Sequence, residues 1–303
     1  MSTELITNDL GKTKYGDLII LYENGDSIKY FTLEKGKIFQ NKFGAFKHDD
    51  MVNKYFGSKI YNNKNDKYIT ILSFVPNVWE RCINKMTQIL YNPDISLIIM
   101  LLNINQNSII YESGTGSGCL STNISSILSN KGHLYTFEFN KERVDKLKDL
   151  FSLLKLNDKI TITHRDVIEN GFEINENDLI KKEHKFCDGM FIDLPSPWMI
   201  IKHAKKVLKN GSYFVSFSPC IEQINETMKI MKENGFISLR MFECLYRTYA
   251  YARTTKIDIP DFSVKRKVGE EFKYNTMEIS VTKNKCDMRG HTGFLLFGIN
   301  VNN

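Results

Sequence analysis

The stretch Ile110-Tyr111-Glu112-Ser113-Gly114-Thr115-Gly116-Ser117-Gly118 constrains this chain more than any other. An apolar run enters three glycines at alternate positions and then Leu120 to Leu128, whose spacing predicts a helix. Glycine suits a turn that needs positive φ or close approach of a ligand to the backbone. Strand, glycine turn and helix in that order predict a parallel α/β sheet with a ligand at the carboxyl end of the strand.

The text after this motif keeps the alternation. Strands are predicted at His133 to Phe137, Lys159 to Thr163, Gly189 to Ile192, Ser212 to Ser218 and Ile237 to Cys244. Helices fall between them at Lys141 to Leu154, Pro197 to Leu208 and Glu222 to Asn234. His291 to Ile299, with Phe294 to Phe297 at its centre, reads as a last strand inserted antiparallel. Before Pro76 the pattern differs. Asp17 to Tyr22 and Ser27 to Phe31 flank the turn Glu23-Asn24-Gly25-Asp26, a hairpin signal, and short strands follow near Lys37 to Gln40, Gly44 to Lys47 and Tyr68 to Leu72. This predicts a small β-barrel or sandwich over residues 1–75 and an α/β domain over 76–303. Asn77 to Asn103 has helical spacing, with an interruption expected at Asn92-Pro93-Asp94. The polar and basic text at about 254–286, including Lys265-Arg266-Lys267, reads as a partly mobile surface insertion.

Side chains around the glycines narrow the ligand. A dinucleotide site has G-x-G-x-x-G, with a pyrophosphate on the helix N-terminus. Here the spacing is G-x-G-x-G, and Glu112 precedes it. A carboxylate there repels phosphate and favours a ligand with an amino group, such as the methionine part of S-adenosylmethionine. Glu138 ends the second strand, 20 residues past Gly118, where a carboxylate can accept both hydroxyls of a ribose. A nicotinamide dinucleotide has that ribose too, so Glu138 alone does not choose. Asp166 follows the third strand, where an adenine amino group would be read.

Strand four ends in Asp193-Leu194-Pro195-Ser196-Pro197-Trp198. Asp193 is expected at the cofactor crevice, held by a bend that two prolines stiffen. Adenine N1 has a lone pair and attacks a methyl group without losing a proton, but the product ring is cationic. A fixed carboxylate accepting from the amino group stabilises that charge. The competing role for Asp193 is to cap the helix near Pro197. His133, His164 and His291 are expected to be structural, since this chemistry needs no base of that pKa.

Other function classes recede on composition. The chain has 303 residues, 42% hydrophobic and 25% charged, and its longest aliphatic run, Leu97 to Leu102, is too short to span a bilayer. Met1-Ser2-Thr3-Glu4 has neither the basic nor the apolar part of a secretory signal, so an intracellular, soluble protein with no membrane role is expected. Cys82, Cys119, Cys187, Cys220, Cys244 and Cys286 are scattered with no C-x-x-C pair, which argues against a zinc or disulfide framework. The net charge of +6 suits a polyanionic partner.

Further blocks stand in order: Phe56 to Lys59, Thr87-Gln88-Ile89-Leu90-Tyr91, Gly132-His133-Leu134, Glu138-Phe139, Phe217-Ser218-Pro219-Cys220-Ile221-Glu222-Gln223 and Gly290 to Phe294. With the glycine loop and the Asp193 block, they resemble the catalytic subunit of the tRNA (adenine(58)-N(1))-methyltransferase family, over about residues 15 to 255 and the last dozen. The resemblance implies a Rossmann-like, seven-stranded class I methyltransferase domain after a small all-β domain. It implies S-adenosyl-L-methionine held near Gln88, Leu90, Glu112, Gly114, Gly116, Ser117, Gly118, Cys119, Glu138, Arg143, Asp166, Val167 and Asp193, with Asp193 at the target base. It further implies a tRNA substrate, a related non-catalytic partner in a heterotetramer of two of each (or a homotetramer, as in bacterial and archaeal relatives), and a nuclear location. Intact Gly114, Gly116, Gly118 and Asp193 favour the catalytic subunit over a non-catalytic RNA-binding scaffold of the same fold. A separate β-domain and basic flanks weigh against a protein or small-molecule substrate. Tyr246, Arg247, Tyr249, Tyr251 and Arg253 interleave rings and cations, as an RNA grip or a subunit-contact edge would.

Overall fold

The computed structural model describes residues 11–24, 27–174, 179–180, 182–247, 249–250, 254–265, 267–280, 283–284 and 290–301. Of the positions singled out above, Met1 to Glu4, Gly25, Asp26, Tyr251, Arg253, Arg266 and Cys286 lie outside the described residues.

The amino-terminal strands follow the alternation of the sequence. β1 (Leu18–Asn24) and β2 (Ser27–Thr32) pair antiparallel, with Ile20 opposite Tyr30. β3 (Ile38–Asn41) and β4 (Gly44–Lys47) form a separate hairpin. β5 (Lys59–Tyr61) and β6 (Tyr68–Leu72) complete a four-stranded sheet in the order β2-β1-β6-β5. Ile19, Leu21, Leu33, Phe46, Met51, Ile60, Ile69 and Ile71 close one apolar core beneath them. The period of two that sends Ile19 and Leu21 inward on β1 does the same for Ile69 and Ile71 on β6. β5 escapes sequence reading because Lys59-Ile60-Tyr61 offers a single buried position.

The next segment departs from expectation. Asn92-Pro93-Asp94 does not interrupt a helix; it begins one. Proline in the first turn donates no hydrogen bond that the helix needs. α1 (Pro76–Cys82) and α2 (Asn92–Leu101) are separate, and residues 83–91 between them are not helical.

The α/β part alternates β7 (Ile109–Ser113), α3 (Cys119–Ile127), β8 (His133–Glu138), α4 (Lys141–Leu153), β9 (Ile160–His164), α5 (Val167–Asn170) and β10 (Cys187–Ile192). A 3-10 turn at Pro197–Ile200 leads into α6 (Ile201–Val207), then β11 (Leu208–Ser218), α7 (Ile221–Glu233) and β12 (Phe236–Glu243). Every residue of β7 and β8 is buried, as expected for strands covered on both faces.

Residues 243–293 form one compact unit, and residues 11–242 with 294–301 form another. The insertion is more regular than its polar text implies. β13 (Tyr249–Ala250) pairs with β16 (Lys283–Asn284), and β14 (Thr254–Pro260) pairs with β15 (Tyr274–Ser280) through seven residue pairs, from Thr254 opposite Ser280 to Pro260 opposite Tyr274. Polar residues face one another across β14 and β15, as in Lys256 with Glu278 and Thr276 with Asp258.

β17 (Phe294–Asn300) returns to the large sheet antiparallel to β11, giving seven strands in the order β12-β17-β11-β10-β7-β8-β9. The chain proceeds from β7 to β8 and β9 on one side, then to β10 and β11 on the other. The order reverses between β7 and β10, and ligands of such sheets bind at the carboxyl ends there. Among the described residues no helix is long and apolar enough to cross a membrane.

Candidate active site

Two strand ends meet at that reversal. The β10 ladder sets Ile192 beside Ser113, and the Asp193 N–H extends it with a hydrogen bond to the Ser113 carbonyl at 2.9 Å. Asp193 therefore lies directly beside the glycine turn. Gly114, at φ +88°, has no room for a side chain: a Cβ would sit 2.1 Å from the Asp193 carbonyl oxygen. Gly118, at φ +77°, is the residue before α3, and a Cβ there would meet Leu147 of α4 at 2.9 Å. The glycines thus permit positive φ and let the turn pack between Asp193 and α4.

The turn is latched from three directions. The Gly116 N–H donates to Glu138 Oε2 at 3.1 Å, and the Gly114 N–H to the Phe137 carbonyl. Ser117 Oγ accepts the backbone N–H groups of Met86 and Thr87 at 2.9 and 3.1 Å, and pairs with Thr87 Oγ1 at 3.2 Å. The non-helical segment 83–91 is thereby tied to the turn, which brings Gln88 and Leu90 near it. Leu90 is buried, while exposed Gln88 donates to the Tyr91 hydroxyl.

Glu138 is 3% exposed, yet its carboxylate is well supplied with donors. Oε1 accepts the Asn140 N–H at 2.9 Å and lies 3.0 Å from the Arg143 guanidinium. A carboxylate has about four acceptor positions; with Gly116, Asn140 and Arg143 as donors about one remains, on Oε2, for a ligand hydroxyl. Glu112 lies beneath the turn, 1% exposed, with Ser121 donating to it at 2.6 Å. Burial pushes its carboxyl up to about 7; hydrogen bonds from Ser121 and Thr136 oppose this, and the charges of Asp193 and Glu138 add to it. Burial likewise pushes half-buried Asp193 up to about 6. Among the described residues none donates a hydrogen bond to its carboxylate, and the 3-10 turn at Pro197 has no side-chain cap. The competing role of helix cap is thus not the one Asp193 performs.

The remaining positions divide. Asp166 caps α5, with Oδ1 accepting the N–H groups of Ile168 and Glu169. The Val167 side chain belongs to the core. Cys119 is buried, and its thiol is pushed up to about 12, so it stays protonated. His133 is a core histidine: its Nε2 meets Thr161 Oγ1 at 2.8 Å, and burial lowers it to about 4. His164 bonds the Phe139 carbonyl, and His291 bonds Glu243 at 2.6 Å. Among the described residues no group of His, Cys, Asp and Glu is arranged to hold a metal.

One contact beside the Asp193 bend is not anticipated from the sequence. Gln223, in the first turn of α7, accepts the Cys220 N–H at 3.2 Å and donates to the Pro195 carbonyl at 2.9 Å. It joins the two most distinctive sequence blocks and fixes the bend behind Asp193. The signal lay in the two blocks themselves, each with an unexplained polar residue.

A family model described as "tRNA methyltransferase complex GCD14 subunit" matches residues 67–300. The chain belongs to this family. The methyltransferase is 38% identical over 240 residues to the tRNA (adenine(58)-N(1))-methyltransferase catalytic subunit of Dictyostelium discoideum, covering 78% of this chain and 74% of that one. It is 30% identical to the subunit of the same name in Candida albicans, covering 94% and 96%. Two solved structures share its fold. A SAM-dependent O-methyltransferase of Thermotoga maritima has a TM-score of 0.76 at 25% identity, covering 96% of this chain and 95% of that one. The tRNA (m1A58) methyltransferase of Aquifex aeolicus has a TM-score of 0.70 at 20% identity, covering 96% and 99%.

S-adenosyl-L-methionine is the cofactor of this class I methyltransferase. The residues present fit it. Glu112, Glu138 and Asp193 surround a glycine turn whose Cβ positions are filled by neighbours, and the charges of Asp193 and Glu138 add to the rise of Glu112. Such a site rejects a pyrophosphate and favours a sulfonium and an ammonium. Glu138 suits the ribose.

Proposed function

We propose that this chain transfers a methyl group to N1 of adenine 58 in the T-loop of tRNA, as the catalytic half of a two-subunit enzyme, with Asp193 at the target base. The observation that carries the reading is the Asp193 carboxylate. The Asp193 backbone N–H is held by the Ser113 carbonyl at the sheet's reversal, beside the cofactor turn, and the carboxylate is free of capping duty. Names of relatives support the substrate: the subunits of Dictyostelium and Candida are both called adenine-58-N1 methyltransferase catalytic subunits.

The cofactor, when bound, supplies a methyl group on a sulfonium whose departure as a thioether needs no acid. The chain's part is to place the base and to manage charge. As N1 gains the methyl group the adenine ring becomes cationic and its amino hydrogens more acidic. Ionised Asp193 accepts from that amino group and stabilises the charge, most strongly where water is excluded. Glu138 orients the ribose, and the buried Glu112 supplies negative potential under the turn.

Partner and location follow from the same reading: a related non-catalytic subunit, two copies of each, in the nucleus. Tyr246 and Tyr249 are exposed, which suits stacking on RNA or a subunit contact. The deciding experiment is transfer of labelled methyl to unmodified tRNA, with the product nucleoside identified, by this chain alone and with its partner. N1-methyladenosine in the T-loop supports the reading. Cofactor binding without methylated tRNA refutes the substrate.

A further inference from the structure

We infer that the amino-terminal strands carry a separate phosphodiester-binding cleft for the tRNA backbone, with Lys42, Lys64 and Lys67 as its cations. This rests on tRNA being the substrate, and it gives the catalytic chain a grip of its own on that substrate.

The cleft lies where the turn between β3 and β4 meets the turn between β5 and β6, and it encloses about 380 Å³. Its framework is polar and rigid. Asn62 is buried between the turns, and its Nδ2 donates to the Phe43 carbonyl at 2.6 Å and to Asp66 Oδ1 at 2.7 Å. Asn62 Oδ1 accepts the N–H groups of Lys64 and Asp66, both at 3.2 Å. Its backbone N–H donates to the Lys67 carbonyl, and the Asn63 N–H crosses to the Ala45 carbonyl. Gly44, at φ +120°, leaves the space that Asn62 occupies; a Cβ there would come within 2.9 Å of Nδ2. One buried amide therefore locks both turns, so the backbones bearing the three lysines are fixed before any ligand arrives.

The charge is available. Lys42, Lys64 and Lys67 are exposed, and among the described residues none of them forms an ion pair. Lys42 Nζ lies 5.2 Å from the Phe43 ring centre, which leaves its charge unneutralised. The acidic lining residue, Asp66, is engaged by Asn62; that hydrogen bond, with Lys67 and Lys64 nearby, holds its carboxyl below the usual range. Three cations against one committed anion leave a net positive cleft with room for a phosphate and its sugar. The same hairpin continues the pattern: Lys59 Nζ lies 4.3 Å from the Tyr68 ring centre, and Tyr68 pairs with Tyr61 at 5.8 Å. Alternating cations and exposed rings suit a nucleic-acid strand more than a protein surface.

The test is equilibrium binding of unmodified tRNA to the full chain across a range of salt. Each phosphate contact contributes roughly 0.7 to 0.9 to the slope of log affinity against log salt. The triple variant Lys42→Ala, Lys64→Ala, Lys67→Ala should lower that slope by about 2 to 3, with S-adenosylmethionine affinity and melting temperature kept. The corresponding triple Lys→Arg variant should retain the wild-type slope. A comparison variant, Lys206→Ala, Lys229→Ala, Lys232→Ala, removes equal charge from exposed positions on α6 and α7. An unchanged slope in the cleft variant, or an equal loss in the comparison variant, overturns the cleft. If the wild type methylates tRNA in either case, the functional reading survives. A wild type that neither binds nor methylates tRNA removes both.

Discussion

The side-chain amide of Gln223 donates to the Pro195 carbonyl at 2.9 Å while accepting the Cys220 N–H at 3.2 Å. One residue thus caps α7 and anchors the bend that presents Asp193. The two roles separate by chemistry: glutamate keeps the acceptor for Cys220 but has no donor for Pro195.

Gln223→Ala should lower kcat at least tenfold with little change in cofactor affinity, and cost about 1 kcal/mol of stability through the lost cap. Gln223→Glu should keep most of that stability yet lose kcat to a similar degree. Steady-state kinetics beside thermal melts check this. If kcat follows stability in both variants, Gln223 is a structural cap and not a positioning residue.

Gly114 and Gly211 make a controlled pair. Both have positive φ, but a Cβ on Gly211 meets nothing within 4 Å, whereas on Gly114 it strikes the Asp193 carbonyl. Gly211→Ala should cost only the conformational penalty, about 1 kcal/mol. Gly114→Ala must also force β7 and β10 apart at their ends, and should cost several times more and abolish cofactor binding. Denaturant unfolding of both variants decides; equal costs would remove the steric argument.

Glu112 predicts a pH dependence with a definite sign. Burial raises its folded value from 4.5 to about 7, so the folded chain holds a proton there that the unfolded chain has released. Free of ligand, its contribution is full below about 4.5 and is lost as pH rises through about 7, by roughly 3 kcal/mol in all. Relative to Glu112→Gln, the wild type should therefore lose stability between pH 5 and 8. Binding of the cationic cofactor favours the ionised carboxylate, so affinity should rise across the same range and flatten in the variant. Calorimetry in two buffers would register the released proton; parallel pH profiles in wild type and variant would count against Glu112.

How much of this was legible depends on where the information is local. The strands of the large sheet could be placed because β7, β8 and β10 are buried apolar runs punctuated by glycine and polar turns. Glu112, Glu138 and Asp193 could be picked because a carboxylate at a strand's end is a short-range pattern. The contacts between blocks were not legible. Ser117 to Met86 spans 31 residues and Gln223 to Pro195 spans 28, and no periodicity reports a bond between two turns. Pro93 is ambiguous in sequence because a proline that breaks a helix and one that starts it look alike until the first turn is located. The β14–β15 hairpin is hard to read even though Lys256-Ile257-Asp258-Ile259 and Thr276-Met277-Glu278-Ile279 alternate polar with apolar, because residues 261–273 separate the strands and no short turn signal joins them.

Asp193 carries the last prediction. With burial pushing it up to about 6, its carboxylate is ionised at neutral pH and protonated in mild acid. The ionised form is the acceptor the adenine amino group needs, so kcat should fall as pH drops below about 6, in the direction opposite to loss of a general acid. Asp193→Asn keeps the size and removes the charge. If the charge is what matters, that variant should lose methyl transfer by about a hundredfold or more, a loss of the size seen when one preorganised electrostatic contact is removed from a transition state. Asp193→Ala should abolish transfer while leaving cofactor binding nearly intact, because the backbone N–H that bonds Ser113 survives both changes. Single-turnover rates across pH, with cofactor affinity measured on the same variants, test this. Equal loss of binding and turnover would move Asp193 from the target base to the cofactor.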